Sequence, residues 1–355
     1  MENVVCKNYP EIPRPNNMGV VRYVLEFAVL LAHFNELAGC NLYSPVSSFD
    51  AVGGFFALSG FLIYRSYICH PGLLHYIGRR ALRILPAYFA TVIIFAIGLV
   101  FVSCLSAGEY FGSAHFWKYL LANLGFANFL EPTLPCVFTN NNLPFVNGSL
   151  WTMKVEWALY LSVPCVVWLL KYFKWREPAA CIVIYVLSAI YRIIFILLYA
   201  HTGQEIYSIL GRQFFGQMMY FYSGVLIYLF LSGLRQHSLL WLVSGVSMLA
   251  LARYDVYTLV CFQPMGISLL VLWFSMIGRW GAKEGLHDNV SYNIYLLHFP
   301  IIQLVVCCPG MIQYNMWFKF LIVIVAVVVA SVLLNRCVES PVRKFFMCKN
   351  SLSGN

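Results

Sequence analysis

The chain has 355 residues, 61% hydrophobic and 10% charged, with a mean hydropathy of +0.75 and a formal net charge of +9. A soluble domain carries about 25% charged residues, so a soluble enzyme is excluded and a multi-span membrane protein is expected, its apolar runs being too long for buried strands. The positive balance points to no nucleic-acid partner, because the basic residues sort by membrane side.

Residues 1–19 read as a polar cytoplasmic leader with Pro10, Pro13 and Pro15. The apolar run after it contains ionisable residues and lacks a clean small-residue cleavage site, so it is not a removable signal. Ten spans are expected: Val20–Ala38, Phe49–Ile68, Ile84–Val102, Leu150–Leu170, Ala179–Leu198, Phe214–Leu231, Leu239–Leu251, Val256–Ile277, Val290–Val306 and Met316–Leu334. They put both termini on one side. All but six of the 23 Lys and Arg residues then share that side, the exceptions being Lys118, Lys154, Arg192, Arg212, Arg253 and Lys319. Such a bias makes the terminal side cytoplasmic. Leu239–Leu251 is short for a span; without it every later span inverts, against the charge bias. The fold class is all-α integral membrane, with one transmembrane domain over residues 20–338 and a cytoplasmic tail over 339–355.

In the first span Arg22 and His33 stand eleven residues apart. At about 100° per residue that is roughly three turns, so both share one helix face, about 16 Å apart along the axis. Glu26 falls on the same stripe. A bilayer tolerates such a stripe only where it faces protein or a wet cavity. His33 is then a candidate general base, since imidazole titrates near neutral pH. The competing reading is a structural histidine, with Arg22 anchoring at the interface and paired to Glu26.

The second span contains Phe55–Phe61, FFALSGF, and a basic turn follows it, HYIGRRALRILPAY, His75–Tyr88. Arg79 and Arg83 form an i,i+4 pair with Arg80 on a neighbouring face. Arginines clustered at a membrane surface grip phosphates bidentately, or serve only topology and lipid headgroups.

The longest non-membrane stretch is Ser103–Ser149. Its aromatic-rich part, His115–Leu130, reads as an interfacial helix or re-entrant segment. A cluster of Pro132, Pro135, Asn140, Asn141, Asn142, Pro144, Asn147 and Gly148 reads as ordered loop, and loops of this length are often functional. The twelve cysteines show no metal spacing, and no metal is expected. They read as small apolar filler, although Cys104 and Cys136 can meet in the outer loop if that compartment is oxidising.

The loop ends in GSLWTMKVEWALYL, Gly148–Leu161, which starts with Trp151 near the helix entry and places Glu156 inside an apolar helix. A carboxylate there is costly unless partnered. It can orient an imidazole or bind a substrate hydroxyl, or pair with Lys154, Arg192 or Arg212. Near the C-terminus, SYNIYLLHF puts Ser291, Tyr295 and His298 on one face, and ESPVRK, Glu339–Lys344, closes the last helix; each alone reads as packing and anchoring. There is no glycine-rich phosphate loop, HExxH or G-x-S-x-G.

Taken together, these stretches resemble the acyltransferase-three family of integral-membrane O-acyltransferases, a bacterial group with eukaryotic members. The family's basic residue, ten positions and His match Arg22 and His33. FF-x-x-SGF matches Phe55–Phe61, including Ser59. RR-x-x-R-x-x-PAY matches Arg79–Tyr88, and W-S-L-x-V-E matches Trp151–Glu156. SY-x-I-YLLH matches Ser291–His298, and E-x-P-x-R-K matches Glu339–Lys344. Six loose motifs in the right order span nearly the whole chain. Two positions depart: Gly53 stands where many members have Asp or Pro, with Asp50 one turn earlier, and Thr152 replaces Ser. The soluble esterase-like domain of some members is absent.

The resemblance implies an acyl-CoA donor, usually acetyl-CoA, entering from the cytoplasm, in a bacterial inner membrane. Arg22, Arg79, Arg80 and Arg83 are expected to hold that co-substrate, and the pantetheine arm is about as long as the Arg22–His33 rise. His33 is expected to deprotonate an acceptor hydroxyl while Glu156 orients and stabilises the imidazolium. Glu26, Ser59, Trp151, Tyr295 and His298 are expected to support substrate or structure. The acceptor is a glycan or lipid-linked sugar; its identity, the acyl chain length and the oligomeric state stay open. Two other classes compete. A glycan or lipid-linked sugar transporter or flippase also keeps ionisable residues at the midplane, but many show repeated halves, and no repeat is seen here. A catalytically silent acyl-CoA sensor is at odds with intact His33 and Glu156.

Overall fold

A computed structural model describes residues 9–277, 288–311 and 313–352. Among the described residues there is no strand. The principal helices are α1 (Met18–Ala38), α2 (Ser48–Cys69), α3 (Leu73–Gly98), α4 (Ala107–Gly112), α5 (Ala114–Leu124), α6 (Trp151–Phe173), α7 (Glu177–Thr202), α8 (Glu205–Gly211), α9 (Phe214–Leu229), α10 (Leu231–Gln236), α11 (Ser238–Leu251), α12 (Val256–Met276), α13 (Asp288–Cys307), α14 (Met316–Leu334) and α15 (Ser340–Leu352). Among the described residues, eight helical stretches are long and apolar enough to cross a bilayer. The sequence places spans at 214–231 and 239–251 too. There α9 and α11 have 16 and 14 residues, about 24 and 21 Å at ~1.5 Å per residue, short of a ~30 Å hydrocarbon core.

The chain forms two compact units. The first comprises Met1–Leu25, Phe49–Ile77 and Val155–Leu286; the second comprises Glu26–Ser48, Gly78–Lys154 and His287–Asn355.

In the first unit α2 and α9 cross at backbone contact. A Cβ on Gly60 would lie 1.9 Å from the Phe221 carbonyl oxygen, and one on Gly224 would lie 2.0 Å from that of Ala57. Lipid tails are as apolar as side chains, so small residues that permit close packing hold such helices together. This accounts for the glycine of FFALSGF. At Gly53 a Cβ would meet the Tyr220 ring at 2.5 Å, so that ring fills the space an aspartate would need. Asp50 instead accepts from Gln263 Nε2 at 2.6 Å. Pro164 within α6 removes the N–H that the Tyr160 carbonyl needs, and the Tyr76 hydroxyl donates to that carbonyl at 2.8 Å.

In the second unit the outer loop is a folded layer. Cys104 and Cys136 form a disulfide with Cα atoms 5.6 Å apart, the pairing the sequence allows for an oxidising compartment. Ser106 and Glu109 make a capping box that starts α4, and those hydrogen bonds from Ser106 lower the pKa of the Glu109 carboxyl. The Tyr88 hydroxyl donates to the Asn123 carbonyl at 2.6 Å, and that of Tyr110 to Ala96 at 2.8 Å. These bonds tie α4 and α5 to α3, so the tyrosine of the PAY motif is a structural latch. The expected interfacial segment at His115–Leu130 begins as helix α5 and ends in turns.

Gly60→Val should fail at the α2–α9 crossing. Two backbones cannot yield as a side chain can, so the cost is at or above the ~3 kcal/mol upper end of ordinary overpacking. Fluorescence-detected gel filtration in detergent should show loss of the monodisperse peak; a wild-type profile and melting temperature would refute the crossing.

Candidate active site

The stripe on α1 faces protein. Arg22 is 7% exposed and Glu26 5%, while Val24 and Phe27 on the other side are 59% and 48% exposed. Further along the helix, in the second unit, His33 is partly buried. Its Nδ1 lies 2.8 Å from Nε2 of His298, and the two ring planes lie within 12° of each other with centroids 5.0 Å apart. His298 is fully buried, and its Nδ1 lies 3.2 Å from the Ile294 carbonyl oxygen.

With both rings neutral, these contacts define one set of tautomers. A carbonyl only accepts, so His298 Nδ1 carries the hydrogen. In a neutral ring its Nε2 is then an acceptor, and His33 Nδ1–H must donate to it. That leaves the His33 Nε2 lone pair outside the relay. A second group that sets which imidazole nitrogen is basic is the arrangement general-base histidines need. The carboxylate expected in that orienting role was Glu156; in the structure a second imidazole holds His33 Nδ1.

The surroundings of His298 come from the loop end. Pro300 interrupts α13 and leaves the Leu296 carbonyl without its N–H donor. Asn147 Nδ2 donates to that carbonyl at 2.8 Å. Ser149 Oγ donates to Asn147 Oδ1 at 2.6 Å. Thr152 Oγ1 donates to the Ser149 carbonyl at 3.0 Å and is therefore free to accept from the Tyr295 hydroxyl, 2.8 Å away. Threonine thus serves where the family motif has serine. The Tyr295 ring meets that of His298 edge-on at 5.6 Å. A Cβ on Gly148 would lie 2.8 Å from the Phe299 ring, and Phe299 packs edge-on against His33 at 5.3 Å. The loop end and α13 thus act as one clamp on the histidine pair. Trp151 is half-buried at the first position of α6.

Gln303 was not singled out by the sequence, yet it is fully buried. Its Nε2 donates to the Leu143 and Phe145 carbonyls at 2.6 and 2.8 Å, and its Oε1 accepts from Asn141 Nδ2 at 2.7 Å. Asn142 Nδ2 reaches the Glu36 carbonyl at 3.3 Å. A lone glutamine in an apolar run was the available signal, since such a group needs partners.

The basic turn separates into two roles. Buried Glu339, aimed inward from a π-helical turn at Asn335–Glu339, pairs with Arg343 at 3.1 Å and lies in the field of Arg83. Arg79 differs: its Nε and Nη2 are buried and have no hydrogen-bond partner. Arg80 lies between them. In the first unit Glu156 accepts from Tyr160, whose hydroxyl stands 3.5 Å from Ser59 Oγ. The cations considered for it have aromatic partners: Lys154 over Phe129 at 4.3 Å, and Arg192 and Arg212 over Phe49 at 5.3 and 5.6 Å. Among the described residues no cluster of three His, Cys, Asp or Glu could hold a metal ion.

The family model for the acyltransferase domain matches residues 16–336. The chain belongs to the acyltransferase-three family. It is 23% identical over 327 residues to Nodulation protein 10 of Rhizobium leguminosarum bv. viciae, covering 85% of this chain and 87% of that one. It is 24% identical over 306 residues to the O-acetyl transferase of Shigella phage Sf6, covering 82% and 86%. No solved structure matches it. The chain is an all-α integral-membrane acyltransferase, and the histidine pair lies inside the matched region.

His298→Ala should keep the folded yield and lower kcat by roughly 10²-fold with little change in KM, as loss of a general base's orienting group does. His298→Gln, whose amide oxygen can accept from His33 Nδ1–H, should recover most of that loss. Equal loss in both variants would show that His298 only fills space.

Proposed function

We propose that this protein transfers an acyl group, acetyl in the simplest case, from acyl-CoA to a hydroxyl of a glycan or lipid-linked sugar. The observation that carries the reading is the close His33–His298 contact, which with both rings neutral supports a basic nitrogen at His33 Nε2. That nitrogen takes the hydroxyl proton as the oxygen attacks the thioester carbonyl. The tetrahedral intermediate expels the thiolate of CoA, and the proton passes from His33 to that sulfur, leaving ester and free CoA. The shared proton of His33 Nδ1 keeps the ring oriented throughout.

The donor's phosphates suit Arg79, whose buried guanidinium nitrogens lack partners, better than Arg83, which faces Glu339. Arg22 and Arg80 complete the proposed donor set. Glu156 is the second catalytic candidate, on the chemistry of its place: a carboxylate in an apolar helix, hydrogen-bonded by Tyr160. The folded outer loop is proposed to face the acceptor. The relative named O-acetyl transferase supports acetyl as the group moved, and the positive-inside bias supports donor entry from a bacterial cytoplasm.

Envelope glycans from cells with and without the gene should differ by acetyl masses in mass spectrometry, and His33→Ala cells should match the deletion. No difference, together with no CoA release by purified protein, would end the proposal. In donor binding, Arg79→Gln should raise Kd for CoA about tenfold and Arg83→Gln much less. Equal effects would remove the distinction between them.

A further inference from the structure

A second group of arginines lies in the first unit, apart from the site described above. The described part of the leader is fastened at Tyr9 and at Asn17. Tyr9 donates to Glu177 Oε1 at 2.5 Å and stacks on Tyr228 with centroids 6.3 Å apart. Asn17 donates its backbone N–H to the Ser275 carbonyl at 2.9 Å, and its amide reaches the Phe274 and Ile277 carbonyls at 3.3 Å. Between these anchors, Glu11–Pro15 walls a cavity of about 920 Å³. Arg65 from the end of α2, Arg235 from α10 and Ser238 from the start of α11 line it, together with Arg14 of the leader.

Three guanidinium groups thus share a cavity with one carboxylate, Glu11. Among the described residues, none of the three makes an ion pair. Arg65 lies beside the Tyr228 hydroxyl, but its Nε is buried with no hydrogen-bond partner. A buried donor left unmade is costly, more so when charged, so it calls for a partner. A second feature points the same way. Helix α11 begins without a side-chain cap, and its first residue, Ser238, lines the cavity, where uncapped N–H groups and the positive end of a helix dipole favour an anion. The cavity is as large as the pockets that enclose whole small molecules, roughly 300–1,000 Å³, far more than one inorganic ion needs.

We propose that this cavity binds a phosphate ester, gripped by Arg65 and Arg235 and closed by Arg14 on the fastened leader. Two molecules carry that chemistry at this face of a membrane: a second CoA, distinct from the donor proposed at Arg79, and the headgroup of an anionic phospholipid. The nucleotide source rests on the acyl-CoA reading given above; the lipid source does not.

The test uses the full chain, purified in nanodiscs of phosphatidylcholine with or without phosphatidylglycerol. The Arg65→Gln/Arg235→Gln double variant is compared with wild type. CoA affinity is read by calorimetry, and phosphatidylglycerol retention by native mass spectrometry. A tenfold or greater weakening of CoA binding with lipid retention unchanged supports the site with a nucleotide in it. Loss of retained phosphatidylglycerol with CoA affinity unchanged supports it with a lipid. No change in either, in a variant with a wild-type elution profile, overturns it. Arg14→Gln, on the exposed leader, guards against misfolding: it should weaken the same ligand about threefold, and no effect from it when the double variant misfolds also counts against the site. Should wild type bind no CoA at all, the acyl-CoA reading fails while the lipid arm still decides the cavity.

Discussion

The hydrogen bond between His33 and His298 is the constraint on which the account of this acyltransferase rests. An isolated imidazole in an apolar helix offers either nitrogen as base and rotates freely. Here the Ile294 carbonyl fixes the proton on His298, and His298 in turn fixes it on His33. Two weak preferences in series yield one defined reactive nitrogen. A carboxylate does this in hydrolase triads with a full negative charge; an imidazole does it with a lone pair alone, so the relay orients more than it stabilises charge.

Holding that bond to hydrogen-bonding distance demands a rigid α13, and this helix is broken by its own Pro300. The freed Leu296 carbonyl is answered by Asn147, which also orders the turn leading into α6. Gly148 lets Phe299 close against the loop, and Phe299 bears on His33. The same device recurs in the first unit, where Tyr76 answers the Tyr160 carbonyl freed by Pro164, one turn beyond Glu156. In lipid, no water repairs a broken helix. Each of these two prolines therefore brings with it a polar partner from another segment, and those partners tie the candidate catalytic residues in place.

Much of this was legible in the sequence. Hydropathy gave the long helices, and the eleven-residue spacing gave the buried face of α1, because helical periodicity is local. Six ordered motifs gave the family. The short helices α9 and α11 were harder, since their apolar runs read as spans while their lengths fall short of a bilayer. The pairing of His33 with His298, 265 positions apart, was not legible, because spacing says which residues share a helix face and nothing about which faces meet. Each histidine was picked out singly. Asn147 was read only as loop, although a proline nine residues after Ser291 announced a carbonyl in need of a donor. Arg65 counted only toward membrane topology, for the same reason: its neighbours Arg14 and Arg235 come from distant segments.

The most direct test of the relay is a nitrogen-15 NMR measurement on histidine-labelled protein in lipid, with His33→Ala and His298→Ala used to assign the two rings. The account predicts His33 protonated at Nδ1 and bare at Nε2, with a coupling from His33 Nδ1 across the hydrogen bond to His298 Nε2. A neutral His33 protonated at Nε2, with no such coupling, would contradict it.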